Sequence, residues 1–155
     1  FINFYFECNN TFGICFYHNL IIVFIIAFGT DIFAYFIGMA IGKHKLCPNL
    51  SPKKSIEGAV GGLVFAVLFT ALYAYFTFGG ANLAIKWSII IGVIGSIMSQ
   101  CGDLGASAIK RQIGIKDYGK LLPGHGGILD RFDSVLFAAP TIYYLLTILG
   151  TLTEY

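Results

Sequence analysis

Charge is what this chain has least of. Asp, Glu, Lys and Arg together make up 12 % of its 155 residues, roughly half the share usual in soluble domains. Hydrophobic residues supply 57 %, and the mean hydropathy is +0.78. A fold of this size cannot hide so much apolar surface in its own core, so lipid must solvate part of it. A net charge of +2 gives no electrostatic footprint for nucleic acid, and no nucleic-acid partner is expected. The four cysteines, Cys8, Cys15, Cys47 and Cys101, form no CxxC pair and no His–Cys group with zinc spacing. That removes the sequence basis for a zinc site, and an even count does not make a disulfide framework in a membrane chain. Internal repeats and low-complexity tracts are also missing. The chain opens on Phe1, without a basic n-region or a cleavage site. Residues 1–19 are therefore expected to be a partial upstream segment, not a signal peptide.

What is present is long apolar runs. Four stretches approach the roughly 20 residues that a membrane helix needs: Leu20–Ile41, Ala59–Phe78, Leu83–Met98 and Val135–Leu152. The expected fold is all-α, a polytopic membrane protein of about four transmembrane helices. Pro140 falls in the first turns of the fourth, where a membrane helix tolerates a kink. Nine of the ten basic residues lie in two hydrophilic loops, Lys43–Ser55 and Asp103–Asp133. These follow the first and third spans, so they share one side of the membrane. The Lys/Arg bias makes that side the cytoplasm.

Four places break the apolar pattern. Asp31 sits mid-span, where a carboxylate costs about 2.5–3.5 kcal/mol on insertion scales and so should face a polar interior. Tyr35, Gly38 and Gly42 follow on the same face. Asp31 is either a structural carboxylate bonded to a neighbouring hydroxyl or, with Tyr35, part of the wall of a polar cavity. The run Ser51-Pro52-Lys53-Lys54-Ser55 offers a helix cap, with Glu57 in the first turn. Its two lysines either anchor the loop at the membrane surface or hold phosphates. Asp103, Ser107, Lys110 and Arg111 share one face if helical. This is either an amphipathic interfacial helix or a carboxylate for a metal beside cations for phosphate. Finally, Pro123-Gly124-His125-Gly126-Gly127 forms a tight loop whose amides can approach an anion, followed by Asp130, Arg131, Asp133 and Ser134. Acidic residues suit a helix start, but that leaves His125 and Arg131 unexplained. Three carboxylates, Asp103, Asp130 and Asp133, among five cations read as a metal–phosphate site, and oxygen-only ligands favour Mg2+ over zinc.

The run Ser107-x-x-Lys110-Arg111, Lys116-Asp117 and Pro123-Gly124-His125-Gly126-Gly127-x-x-Asp130-Arg131-x-Asp133-Ser134 resembles the signature of the phosphatidate cytidylyltransferases, or CDP-diacylglycerol synthases. Upstream, Asp31-x-x-Ala34-Tyr35-x-x-Gly38, Gly42-Lys43-His44-Lys45-Leu46 and Ser51-Pro52-Lys53-Lys54-Ser55-x-Glu57-Gly58 resemble it too. The resemblance runs from about Phe28 to Thr147 and implies a C-terminal catalytic membrane domain over residues 20–155. It implies transfer of the cytidylyl group of CTP to phosphatidic acid, giving CDP-diacylglycerol and pyrophosphate in phospholipid biosynthesis. Asp103, Asp130 and Asp133 would hold Mg2+ or Mn2+, with room for a second cation. Lys110, Arg111 and Arg131 would neutralise phosphates. The loop of His125, Gly126 and Gly127 would cradle the triphosphate, with Ser107 beside the substrate. Lys53 and Lys54 would meet lipid or nucleotide phosphate. The expected partners are CTP, phosphatidic acid and membrane lipid, with a homo-oligomer allowed. The expected location is a bacterial cell membrane, with the site facing the cytoplasm.

Three rivals separate on simple grounds. A CTP-using polyprenol or phytol kinase would make lipid phosphate and CDP. A transporter would spread polar residues along several spans, whereas here they crowd one end. A CDP-alcohol phosphotransferase requires an aspartate-glycine motif that this sequence lacks.

Overall fold

The computed structural model describes residues 12–47, 51–77, 79–80, 82–115 and 129–152. Lys116, Asp117, His125, Gly126 and Gly127 of the sequence motif lie outside the described residues. So do the side chains of Lys53, Asp130 and Arg131.

Four helices carry the fold: α1 (Phe12–Ile41), α2 (Ile56–Thr77), α3 (Asn82–Gln112) and α4 (Leu129–Leu152). Three of them are long and apolar enough to cross a membrane, and α4 holds a shorter apolar stretch, Phe132–Ile148. The chain is thus an all-α polytopic membrane protein. α1 and α2 are apolar around their whole circumference, as lipid-bathed helices are. Large side chains such as Phe36, Met39, Phe76, Leu136 and Ile148 point outward.

Inside the bundle the side chains are small. α2 buries Gly58, Gly62, Ala66, Thr70 and Ala74, one every fourth residue. A Cβ on Gly62 would lie 2.6 Å from the Thr30 carbonyl oxygen of α1, and one on Gly92 of α3 would lie 2.6 Å from Thr70 Oγ1. Lipid tails are as apolar as Leu, so membrane helices associate through such close packing and through hydrogen bonds. Thr30 Oγ1 donates to Ser96 Oγ at 3.0 Å, and Gln100 Nε2 donates to the Ala59 carbonyl at 3.1 Å. α1 packs most extensively on α2, α3 lies between α2 and α4, and α4 closes back on α1. Ile22, Ile26, Ile91, Ala138, Ile142 and Leu146 form the apolar core.

The element boundaries depart from the expected ones in several places, and α1 already starts at Phe12, eight residues before Leu20. The first basic segment is not all loop. It forms an antiparallel hairpin of β1 (Lys45–Cys47) and β2 (Ser51–Ser55), with Lys45 opposite Ser55. α3 runs past the expected end at Met98 to Gln112, so Asp103, Ser107, Lys110 and Arg111 ride on helix. It stops where Gly114 takes a φ of 75° and Ile115 N–H returns to the Lys110 carbonyl, a glycine-terminated helix end. α4 begins at Leu129, six residues before the apolar run starts, which puts Asp130, Arg131 and Asp133 in its first turns.

Candidate active site

Polar groups from α1, the hairpin, α3 and α4 meet at one end of the bundle. Ser55 caps α2, its Oγ accepting from Gly58 N–H at 3.1 Å. That choice between the two candidate caps, Ser51 and Ser55, follows from where the hairpin ends. The preceding residue, Lys54, reaches across to α3 and makes an ion pair with Asp103 Oδ2. Further along α3, Lys110 Nζ lies 3.6 Å from Asp133 Oδ2 of α4. Both pairs are largely shielded, so their attraction is screened far less than that of a surface pair.

Asp31 is the third carboxylate. Ser134 Oγ donates to Asp31 Oδ2 at 2.7 Å, while the Ser134 N–H donates to Asp133 Oδ1 at 2.9 Å. One residue therefore holds two carboxylates from two helices. Asp31, Asp103 and Asp133 thus gather at this end of the bundle, with Lys54 on Asp103 and Lys110 beside Asp133. A cavity of about 230 Å³ opens here, lined by Asp31 and Tyr35 of α1, Lys54 and Ser55 of β2, and Gln100 and Asp103 of α3.

The sequence candidates divide accordingly. Asp31, Tyr35, Lys54 and Asp103 line the cavity. Lys110 and Asp133 are joined beside it. Ser107 is partly buried on α3, and Arg111, one residue beyond Lys110, is exposed on the helix surface. Two site residues were not singled out as such: Ser134, which links Asp31 to Asp133, and Gln100, which lines the cavity. A signal existed for Gln100, an amide in an apolar run one turn before Asp103.

Among the described residues, no three His, Cys, Asp or Glu side chains already form a metal-binding group. The donor set nonetheless suits a hard cation. Among the described residues, Asp31, Asp103 and Asp133 gather with Lys54 and Lys110, and carboxylate oxygens are the donors that a hard cation takes. Asp103 and Asp133 are the described residues that would hold such an ion.

Residues 9–149 match the sequence profile described as the cytidylyltransferase family. The phosphatidate cytidylyltransferase of Staphylococcus haemolyticus is 44 % identical over 129 residues, 83 % of this chain and 49 % of that protein. The protein of the same name from Bacillus subtilis is 44 % identical over 126 residues, 80 % of this chain and 45 % of its own length. That of Staphylococcus aureus is 46 % identical over 131 residues, 83 % of this chain and 49 % of its own. The chain spans about half the length of the curated relatives it matches. Because the profile match runs through all four helices and the clustered carboxylates and lysines, the chain belongs to the cytidylyltransferase family.

Proposed function

We propose that residues 20–155 form the catalytic membrane domain of an enzyme that transfers the cytidylyl group of CTP to phosphatidic acid. The observation that carries this reading is the convergence of the Lys54–Asp103 and Lys110–Asp133 pairs with Asp31 at one end of a bundle of apolar helices. A soluble, highly charged nucleotide and a lipid headgroup can meet only at such a boundary. The relatives named above support the choice of substrates.

A phosphate oxygen of phosphatidic acid forms a bond to the α-phosphorus of CTP. The bond from that phosphorus to the oxygen bridging the β-phosphate breaks, and its electrons leave on pyrophosphate. The nucleophile is already an anion, so the chemistry asks for positioning and charge neutralisation more than for a base. Lys54 and Lys110 hold phosphate oxygens in exchange for their carboxylate partners. Arg111, Arg131 and the loop at His125, Gly126 and Gly127 take further phosphate contacts, and Lys53 supports Lys54. Asp31 and Tyr35 wall the cavity. Asp103, Asp130 and Asp133 would hold Mg2+, or Mn2+ in its place, with room for a second cation. The ion supplies charge neutralisation on the phosphates and the leaving pyrophosphate. The site faces the cytoplasm of a bacterial cell, where CTP is found.

The test is incorporation of labelled CTP into lipid by the full-length protein. CDP-lipid and pyrophosphate are expected, and chelation should abolish both. Asp103→Asn and Asp130→Asn should each lose at least about 10²-fold, as removal of a transition-state stabiliser does. Lipid phosphate with CDP as products, or turnover that survives chelation, would overturn the reading.

A further inference from the structure

The base of the hairpin is tied to α2 by contacts that none of the proposed chemistry uses. His44 Nδ1 and Glu57 Oε1 are 2.7 Å apart. The His44 backbone N–H also points at the Glu57 carboxylate, 3.2 and 3.3 Å from its two oxygens. The His44 carbonyl in turn accepts from Ile56 N–H at 2.9 Å. One residue at the hairpin's entrance is therefore held on both main-chain sides by the first two residues of α2. A solvent-exposed pair of this kind contributes little to stability, since water competes for both partners. The bundle is already held by helix packing. What the tie fixes is geometry.

The position it fixes is that of Lys54. On the second strand, at the same base of the hairpin, Ser55 is wedged among backbone: a Cβ on Gly38, Gly42 or Gly58 would lie 2.8, 2.6 or 2.9 Å from Ser55 Oγ. With His44 tied to Glu57 and Ser55 seated on α1, both strands are anchored at the base, one residue from Lys54. Lys54, flanked by Ser55, is delivered across the cavity onto Asp103. We propose that His44 and Glu57 are positioning residues, a clip that holds the hairpin so that Lys54 is presented to the cavity and Asp103. The catalytic consequence of the clip rests on the function proposed above, while its effect on Lys54 does not.

The experiment uses the full-length protein in detergent and reads two quantities. The first is the rate of Lys54 acylation by a water-soluble amine reagent, followed by mass spectrometry, with Lys110 as internal reference because its partner, Asp133, lies on α4. The second is kcat and KM for CDP-lipid formation. Glu57→Ala should raise Lys54 acylation several-fold relative to Lys110 and lower kcat about 10-fold, the scale of a catalytic group displaced by a fraction of an ångström. Glu57→Gln keeps an oxygen for the His44 N–H and an amide hydrogen for Nδ1, so it should stay within about 2-fold of wild type on both readouts. Equal loosening of Lys54 and Lys110 in Glu57→Ala would mean a general structural role and would overturn the proposal, as would unchanged Lys54 reactivity. If the wild type forms no CDP-lipid but Lys54 responds as stated, the clip stands and the proposed reaction falls.

Discussion

Asp31 shows how a costly residue is made tolerable. An unpaired carboxylate in the middle of a span would be driven out of the membrane. Here it receives the Ser134 hydroxyl and faces a cavity that reaches Lys54. Asp31→Asn keeps the shape and an oxygen for Ser134 but removes the charge. Turnover is expected to fall about 10-fold with membrane insertion unchanged, and full activity would make Asp31 a purely structural residue. Ser134→Ala should cost less. The double variant should be no worse than Asp31→Asn alone, because residues that act as a pair are not additive. The sequence exposed Asp31 as an anomaly through composition alone. It did not expose Ser134, 103 residues away, because contacts at that separation leave no periodic trace. The same holds for Lys54 and Asp103, 49 residues apart: the pair of lysines was visible, but which one crosses to α3 was not.

At the scale of elements, the apolar runs located the helices well and their ends badly. The third apolar run ends at Met98, where hydropathy falls, but the helix runs on to Gln112, the outcome under which Asp103, Ser107, Lys110 and Arg111 share a face. Its polar end simply leaves the lipid while the backbone continues to the glycine at 114. The hairpin was illegible because Lys45–Cys47 and Ser51–Ser55 are too short and too polar to alternate. The glycines were more informative than their usual reading as breakers. Gly62→Ala would push a methyl group to 2.6 Å from the Thr30 carbonyl and 3.0 Å from Ala34 Cβ, whereas a Cβ on Gly29 meets nothing within 4 Å. Backbone cannot step aside, so Gly62→Ala should destabilise by about 1–3 kcal/mol. Gly29→Ala should be neutral or stabilising by up to about 1 kcal/mol through helix propensity. Thermal unfolding in detergent compares them, and equal midpoints for the two variants would show that α1 and α2 do not approach as closely as described.

For the molecule as a whole, the distribution of charge and the pairing of helices make one argument. Lys54 on Asp103 and Lys110 beside Asp133 bring the hairpin and the junction of α3 and α4 to the same end of the bundle. That agrees with the parity of the crossings read from the sequence. The opposite end carries the Gly79–Gly80 turn, whose positive φ values of 60° and 78° suit glycine and which holds no charge. The proposed orientation rests on the Lys/Arg bias of the sequence, in which nine of the ten basic residues fall in the segments Lys43–Ser55 and Asp103–Asp133 and Lys86 is the tenth. Under the positive-inside rule, the reading proposed above has the site facing inward. In a cysteine-free background, single cysteines at Ser51 and Gly119 should react with an impermeant maleimide only after the cells are opened. A cysteine at Asn82 should react from outside in intact cells. If Ser51 or Gly119 labels from outside, the orientation is reversed, and the proposed reaction with cytoplasmic CTP falls with it.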